Sequence, residues 1–594
     1  MEKKFFGTGL ALMINCSVFF GNASVVAPQS ADTLLPVFAY EEMDLPETVS
    51  HEAWSALPAD LQASWVSYDV HYSKYACPQV DPCDMMTLYA WRGERVNAEA
   101  LLYTREKTEA LSLRLSSVGR KSRKGTPQGS TRFLRYVATT DYKSCGYPSS
   151  DLPARLVPDV IDLPSALPLE AETVRPVWVT FEIPAACSPG KYEYTLEIVS
   201  SVSGKVLKTL QLTVDVSERS LPSPSEYRFH TDFWQQPYSV SRYYGLKPWS
   251  KAHFKALEPY MRMLARAGQK VVSAILFYEP WGKQSNDKFQ PMIETTKLED
   301  GTWSYDYTVF DRWVNFLERC GIRGQINCYS MIPWDMSFRY RDAASGTYQF
   351  LNTDTSSPEY RAFWTNFLVS FARHLKKKKW FDRTNLAMDE RGFQAMRDAK
   401  EIAEAAGWKG KLALAGNYYA ELSDDLQDYC IAFAHRFPED VLAKRRAEGK
   451  VSTVYTCCTE SQPNLFTNSQ PAEAAYLPVF AVADGFDGYL HWSWLNWTDD
   501  PLRDSRFFMF APGDTYVVYP GARSSVRHER FTEGVQTAEK IRLLREEFEK
   551  AGRTAELQEM ENVLHEFSQN LPVEGDSPAR LLRKLSDVLR RVAK

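Results

Sequence analysis

The sequence predicts an N-terminal antiparallel β-sandwich, a (β/α)8 barrel of the TIM type and a C-terminal helical tail. Three observations support this multidomain fold of β plus α/β class. Short β-rich runs separated by Pro, Gly and Ser fill the first third of the chain, a strand-then-helix rhythm fills the middle, and the end is charged and helical. A length of 594 residues accommodates two or three such domains.

The N-terminus has the pattern of a secretory signal peptide. Two lysines precede the apolar run 5–20, and small residues allow cleavage after Ala23. The run is too short to favour a membrane span. We therefore expect residues 1–23 to direct export across the inner membrane, to the periplasm or the cell surface. The alternative is a lipid anchor at Cys16, against which the size of the preceding Asn15 argues.

Composition excludes several classes of function. The chain has 70 Lys and Arg against 75 Asp and Glu, so it lacks the excess of positive charge that is typical of nucleic-acid-binding proteins. Its nine histidines form no H-E-x-x-H, and no Walker loop, G-x-G-x-x-G or G-x-S-x-G is present. We expect no metal and no cofactor. Aromatic residues reach 13%, including 16 Trp and 31 Tyr, which suits stacking on sugar rings as well as core packing.

The cysteines do not indicate a disulfide framework. Nine remain outside the apolar N-terminal run, and none lies in a C-x-x-C arrangement. Cys77 and Cys83 are close enough in sequence to bridge. We expect Cys320, Cys328 and the others in apolar runs, which are Cys430, Cys457 and Cys458, to pack in cores.

Residues 31–224 read as the sandwich domain. The predicted strands are 86–92, 98–104, 111–116, 177–183, 192–199 and 206–216. The segment Leu221-Pro-Ser-Pro224 cannot continue a central strand, because proline has no amide hydrogen to donate. We place the domain boundary near residue 224 and expect the sandwich to stabilise the chain without a ligand of its own.

Residues 225–535 read as the barrel. The predicted strands are 227–234, 271–277, 322–329, 386–388, 411–417, 430–434, 452–458 and 488–495, with helical segments between most of them. An open doubly wound sheet would give a similar pattern, but the phosphate-binding glycine turn of such folds is missing. Residues 536–594 form the helical tail.

Two neighbouring carboxylates, Asp389 and Glu390, end the fourth predicted barrel strand. Residues at the carboxyl ends of barrel strands face the mouth, where substrates bind. We therefore interpret the pair as catalytic. The alternative is that both acids merely occupy the first turn of the next helix, where negative charge is favourable.

Aromatic and amide side chains lie near the ends of other predicted strands and suit a sugar site. They are Trp234, Asn327, Tyr329, Asn417, Tyr418, Tyr455, Trp492, Trp494 and Asn496. Each aromatic ring taken alone is as well explained by core packing. Because the eighth strand carries several large rings close together, we expect some of them to stack on a hexose.

These residues carry a resemblance to glycoside hydrolase family 123. It rests on Met388-Asp-Glu390, the aromatic eighth strand, Val518-Tyr-Pro-Gly-Ala522, Ser524-Ser-Val-Arg-His-Glu529 and, in the sandwich, Ala90-Trp-Arg-Gly-Glu94. Related secreted barrel proteins share the C-terminal pattern. The resemblance implies an exo-acting β-N-acetylgalactosaminidase whose partner is a glycan or glycolipid with a terminal β-linked GalNAc.

The resemblance also implies substrate-assisted catalysis, in which the 2-acetamido oxygen attacks the anomeric carbon. Glu390 would be the general acid and base, with its pKa raised by its surroundings, and Asp389 would orient the acetamido N–H. A hydroxyl of Tyr329, Tyr418 or Tyr455 would hold the acetamido carbonyl oxygen.

Two alternatives remain open. Glu460, just beyond strand seven, could be the nucleophile of a double displacement with Glu390 as acid and base. The chain could also be a secreted glycan-binding protein without catalysis.

Overall fold

The computed structural model describes residues 39–45, 49–119, 125–569, 573 and 575–593. The predicted signal peptide 1–23 and Cys16 lie outside the described residues. A short helix, α1 (His51–Ser55), precedes the sandwich.

Two five-stranded sheets form the N-terminal part of the described chain. Their strands are β1 (Gln62–Val66), β2 (Met85–Arg92), β3 (Arg95–Thr104), β4 (Leu111–Ser117), β5 (Gln128–Thr139), β6 (Arg155–Ile161), β7 (Ala166–Leu167), β8 (Thr173–Glu182), β9 (Gly190–Ser200) and β10 (Val206–Ser220). The orders are β1-β3-β8-β5-β6 and β2-β10-β9-β4-β7. Alternate residues such as Ala98, Val179, Leu196 and Leu212 are buried between the sheets. The predicted antiparallel sandwich is confirmed, with one parallel pair, β2 and β10.

Eight parallel strands form the barrel in the described part of the chain. They are β11 (His230–Phe233), β12 (Val271–Ile275), β15 (Gln325–Tyr329), β18 (Thr384–Met388), β19 (Leu412–Gly416), β20 (Asp428–Ala432), β21 (Val451–Tyr455) and β22 (Gly488–His491). Neighbouring strands pair in register from β12 through β15 to β22 and β11. The ring is nearly closed, since the Lys270 amide donates to the Thr231 carbonyl at 2.9 Å between β11 and β12. The predicted barrel is confirmed.

Helices surround the barrel and follow it. They are α2 (Tyr238–Tyr243), α3 (Lys251–Arg266), α4 (Thr308–Cys320), α5 (Pro358–Lys378), α6 (Phe393–Ala405), α7 (Glu439–Ala447), α8 (Pro471–Ala483), α9 (Val526–Ala551), α10 (Thr554–Gln569) and α11 (Ser577–Val592). A 3-10 turn, Ala420–Leu422, replaces a helix between β19 and β20. Helix α9 runs through residue 535, where the sequence analysis ended the barrel.

Helix α5, which leads into the acid-bearing strand, is well specified by its sequence. Ser357 caps its first turn by accepting the Tyr360 amide, and Pro358 has the backbone angle that a first turn needs. The buried face is apolar and consists of Tyr360, Phe363, Trp364, Phe367, Leu368, Phe371, Ala372 and Leu375. Three lysines, Lys376–Lys378, complement the negative C-terminal end of the helix. This packing fixes β18 in the barrel wall.

A small accessory sheet follows the second and third barrel strands. It consists of β13 (Glu294–Lys297), β14 (Trp303–Asp306), β16 (Ser337–Asp342) and β17 (Tyr348–Asn352), in the order β14-β13-β16-β17. Phe338 on its inner face is fully buried and packs against Tyr360 and Phe363 of α5. None of these four strands was predicted from the sequence.

The motif Ser524-Ser-Val-Arg-His-Glu529 connects the barrel to the sandwich. Arg527 Nε donates to Asp159 at 2.9 Å, and Arg523 Nε donates to Asp162 at 2.5 Å. Glu529 accepts from Arg95 Nε at 2.6 Å. Burial acts to raise the pKa of Glu529, but the Arg95 charge and hydrogen bonds outweigh it and lower that pKa to about 2. This motif, one of several that carry the family resemblance, therefore joins the two domains.

A disulfide joins Cys145 to Cys458 across 313 residues of sequence. It ties the loop after β21 to the segment between β5 and β6. A bridge between Cys77 and Cys83, which the sequence allowed, does not form, because both cysteines are free thiols. Cys320, Cys328 and Cys430 are buried free thiols as expected, Cys458 is buried but as half of the disulfide, and Cys457 is only half-buried. Closeness in sequence failed as a guide because the partners belong to different domains.

Glu42 is the centre of a buried ion cluster. Its carboxylate accepts from Arg135 Nε at 2.9 Å and from Arg175 Nη1 at 2.5 Å, and Lys74 Nζ lies 2.9 Å away. Arg135 also donates to Asp162, the partner of Arg523. The cluster thereby ties residues 39–45 to both sandwich and barrel.

Replacing Glu42 by alanine should lower the free energy of unfolding by about 3–5 kcal/mol, because it leaves buried cations without their carboxylate. Urea unfolding would measure the change. The neighbouring exposed Glu41→Ala is the control and should shift stability by less than about 0.5 kcal/mol. Equal midpoints for the two variants would contradict the expectation.

Candidate active site

Asp389 and Glu390 follow β18 at the carboxyl end of the barrel. Asp389 is buried, and its Oδ2 accepts a hydrogen bond from Trp334 Nε1 at 2.8 Å. Its Oδ1 is buried with no hydrogen-bond partner among the described residues. Burial, together with the charge of Glu390, raises the pKa of Asp389 to about 6, although the Trp334 hydrogen bond and Arg391 oppose the shift. One carboxylate oxygen is therefore left for a ligand.

Glu390 is exposed and is held by a strand on the opposite side of the barrel. Its Oε1 accepts from the Tyr455 hydroxyl at 2.5 Å. Tyr455 ends β21 and is buried, so the position of its hydroxyl is set by the barrel wall. The bond leaves the rest of the Glu390 carboxyl open to a substrate.

Trp334 covers the acid pair from the loop after β15. Its ring is 37% exposed, and the Arg391 guanidinium lies 4.6 Å from the ring centroid. The sequence analysis did not select Trp334. Its position in the loop directly after a barrel strand is the feature of the sequence from which it could have been predicted.

Trp234, Trp281 and Tyr329 form an aromatic cluster at the ends of the first three barrel strands. Trp234 stacks on Trp281 with ring centroids 5.3 Å apart, and its ring lies 4.5 Å from that of Tyr329. All three are buried. Burial, and to a smaller extent the charges of Asp232, Asp428 and Asp389, raise the pKa of Tyr329. Trp281, in the loop after β12, was not predicted as a site residue.

Trp492, directly after the eighth strand, contacts a further buried acid, Asp514. Its Nε1 donates to Asp514 Oδ2 at 3.1 Å, and its half-buried ring packs edge-on against Phe510. Burial raises the pKa of Asp514 to about 7, with a contribution from the charge of Glu460. Asp514, too, was missed, because it lies in a long segment without regular structure.

Of the predicted amide residues, Asn327 and Asn496 use their side-chain oxygens on protein partners, while the side-chain nitrogen of Asn496 has no hydrogen-bond partner among the described residues. Asn327 lies inside the barrel, where it donates to Asp428 at 3.0 Å and accepts from Asn385 at 3.1 Å. Asn496 is buried, and its side-chain oxygen accepts the Asn286 amide at 3.0 Å. Asn417 is exposed, and its backbone carbonyl accepts from the Tyr429 hydroxyl.

Two of the predicted aromatic residues pack away from the acid pair. Trp494 is fully buried between Phe233 and His528, so it belongs to the interface between the barrel and α9. Tyr418 packs against Tyr429 and Phe437. Of the predicted aromatics, the structure thus brings Tyr455 into contact with Glu390, and it packs Tyr329 against Trp234 at the ends of the barrel strands.

Both carboxylate oxygens of Glu460 accept hydrogen bonds from residues of its own turn. Oε2 accepts the Cys457 amide at 2.9 Å, and Oε1 accepts the Thr459 hydroxyl at 2.8 Å. These bonds fix the loop between β21 and α8 and engage the oxygens that a nucleophile would need.

Neither a metal cluster nor a membrane-spanning helix is present among the described residues. Within the described ranges, no group of three or more His, Cys, Asp or Glu side chains is arranged to hold a metal ion. Among the same residues, no helix combines the length and apolar character needed to cross a lipid bilayer.

Comparisons with known proteins agree with this architecture. Residues 234–544 match the profile of the glycoside hydrolase 123 catalytic domain, and residues 65–200 match that of the glycoside hydrolase 123 N-terminal domain. A family 123 glycoside hydrolase from Clostridium perfringens, solved in a study of glycolipid glycan hydrolysis, is similar at a TM-score of 0.80 and 25% identity. The match covers 90% of this chain and 98% of that one.

A putative glycoside hydrolase from Bacteroides vulgatus matches far more weakly. Its TM-score is 0.30 at 11% identity, over 73% of this chain and 77% of that chain. No curated protein matches this chain.

Proposed function

Because the chain belongs to glycoside hydrolase family 123, we propose that it is a retaining, exo-acting β-N-acetylgalactosaminidase that uses the substrate's own acetamido group as nucleophile. The observation that carries the proposal is the pairing of a buried Asp389, with one unpartnered oxygen, and an exposed Glu390 at the end of one strand. Adjacent residues enter the site together, so they cannot flank one glycosidic bond from opposite faces. A nucleophile from the substrate removes that need.

Asp389 is proposed to orient the acetamido group. Trp334 occupies Oδ2, which leaves Oδ1 to accept the acetamido N–H. As the acetamido carbonyl oxygen bonds to the anomeric carbon, the nitrogen gains positive charge, which an ionised Asp389 balances. The buried position makes that charge interaction stronger than it would be in water.

Glu390 is proposed to transfer the proton. It donates a proton to the leaving oxygen while the glycosidic bond breaks and the oxazolinium ring closes. Its carboxylate then takes a proton from water, which adds to the anomeric carbon and reopens the ring with retention. The Tyr455 hydroxyl holds Glu390 in one orientation throughout.

The cluster of Trp234, Trp281 and Tyr329 is proposed to receive the acetamido methyl group. Its apolar rings lie at the carboxyl ends of the first three barrel strands, at the same end of the barrel as Asp389. Of the three candidate tyrosines, Tyr455 is bonded to Glu390 and Tyr418 packs on Phe437. We therefore assign the hydroxyl that holds the acetamido carbonyl oxygen to Tyr329.

A double displacement by Glu460 has less support. Both of its oxygens accept hydrogen bonds from its own turn, so attack on the anomeric carbon would require the loop to rearrange. A glycan-binding protein without catalysis would not need Asp389 to keep a buried, unpartnered oxygen, because that arrangement destabilises the fold.

The proposed substrate is a glycan or glycolipid with a terminal β-linked GalNAc. The Clostridium perfringens relative was studied on glycolipid glycans, and it is similar over nearly the whole chain. We also propose that the protein acts outside the cytoplasm, in the periplasm or at the cell surface. The Cys145–Cys458 disulfide supports this, since such bonds persist in oxidising compartments.

The test is hydrolysis of 4-nitrophenyl β-GalNAc compared with 4-nitrophenyl β-galactoside. Loss of the internal nucleophile should lower kcat/KM for the galactoside by about a thousandfold or more. Glu460→Gln should leave GalNAc hydrolysis within about threefold of wild type, because its carboxylate only fixes a loop. Equal cleavage of the two glycosides, or loss of activity in Glu460→Gln, would favour double displacement.

A further inference from the structure

The outer face of the accessory sheet carries exposed aromatic rings between hydrogen-bonding groups. Arg339 pairs across the strands with Phe350, and Arg341 pairs with Tyr348, so these four side chains share one face. Phe350 is 50% exposed and Tyr348 is 52% exposed. The opposite face is occupied by packing on α5 through Phe338. The exposed rings therefore do not belong to the sheet's own core.

This face is preorganised. The Arg339 guanidinium lies 4.2 Å from the ring centroid of Tyr278 and 4.6 Å from that of Tyr348, so it is held between two rings. Its Nη2 donates to Gln290 at 3.0 Å. Phe350 lies edge-on to Tyr278, with centroids 6.3 Å apart. The rings keep fixed positions, which lowers the entropy cost of binding a ligand.

Two loops connect this face of the accessory sheet to the acid pair. Tyr278 lies two residues before Pro280, whose carbonyl accepts the Trp334 amide at 2.9 Å. Trp334 in turn donates to Asp389 at 2.8 Å. The loops after β12 and β15 thus connect Phe350 to Asp389 through Tyr278 and Trp334.

We propose that the accessory-sheet face formed by Tyr278, Arg339, Tyr348 and Phe350 binds the sugar units on the leaving-group side of the cleaved bond. The inference rests on the proposed function and extends it to the part of the substrate that is released. Flat rings match the C–H faces of hexoses, and the guanidinium groups between them match hydroxyls. A surface that enters lipid would be more continuously apolar.

The experiment compares the double variant Tyr348→Ala/Phe350→Ala with wild type on three substrates. They are 4-nitrophenyl β-GalNAc, a free oligosaccharide with β-GalNAc followed by at least two further sugars, and the same glycan on a lipid in phosphatidylcholine vesicles. Because the rings contact only the longer chain, kcat/KM for the free oligosaccharide should fall about tenfold or more. The nitrophenyl glycoside should change by less than about threefold.

Two variants serve as controls. Tyr89→Ala removes an equally exposed ring from sandwich strand β2 and should leave every rate unchanged. Phe350→Ala alone should show a smaller loss of the same kind, and it keeps the comparison intact if the double variant is not folded.

The outcomes are distinguishable. An unchanged oligosaccharide rate, or an equal loss on the nitrophenyl glycoside, overturns the inference while leaving the proposed function intact. A loss confined to the vesicle substrate also overturns it and identifies the face as a membrane contact. If wild type cleaves none of the three, the proposed function fails and the inference fails with it.

Discussion

Replacing Glu390 by glutamine is expected to lower kcat for a GalNAc-terminated oligosaccharide by about 10²–10⁴-fold, the range of general acid–base catalysis. Glutamine keeps the size of the side chain and can still accept the Tyr455 hydroxyl. It has no proton to give to a departing sugar oxygen. The loss should be smaller for 4-nitrophenyl β-GalNAc, whose leaving group departs as a stable anion.

Stopped assays on both substrates would measure this difference. The control is Glu401→Gln, an exposed glutamate on α6, which should match wild type. A uniform loss on the two substrates would argue against proton donation by Glu390. Full activity of Glu390→Gln would exclude it.

Replacing Asp389 by asparagine should cost about 10²–10³-fold in kcat/KM for 4-nitrophenyl β-GalNAc, comparable to the loss of one group that stabilises transition-state charge. Asparagine can still accept the Trp334 indole hydrogen. It cannot balance the positive charge that develops on the acetamido nitrogen.

The pH profile gives a second measurement on the same residue. With a pKa of about 6, Asp389 is ionised above that pH and becomes protonated below it. Wild-type kcat/KM, which reports the free enzyme, should therefore fall on the acidic side of about pH 6. In Asp389→Asn this acidic limb should disappear. The exposed Asp382→Asn should retain it, and a limb that persists in Asp389→Asn would assign the titration to another group.

The barrel strands and the acid pair could be predicted from sequence because both are local patterns. A short apolar run that ends in two carboxylates can be recognised without information from distant residues. The place of Tyr455 at the end of a strand likewise predicts the direction of its side chain. Trp334 and Trp281 could not be found in this way. They reach the site from loops whose paths depend on the accessory sheet. That sheet forms by pairing β13 with β16, in which partners such as Thr296 and Arg341 are 45 residues apart.

The eighth strand shows why the number of aromatic residues near a strand end overestimates how many of them belong to a binding site. Regular β22 ends at His491, so the tryptophans that follow do not continue the alternation of the strand. Trp492 stays half-buried beside Asp514, whereas Trp494 enters the interface with α9. Strand ends and turns decide which rings face a ligand, and they are the least predictable part of a sequence.

The contacts of the 523–529 segment also constrain how this enzyme can be engineered. Arg523, Arg527 and Glu529 find their counter-ions on β3, β6 and the turn after β6. A shortened gene encoding residues 225–594 alone would leave two guanidinium groups and a carboxylate unneutralised at a newly exposed surface. Chimeras that exchange sugar specificity between relatives should therefore transplant the loops at the top of the barrel and leave both halves of the polypeptide together.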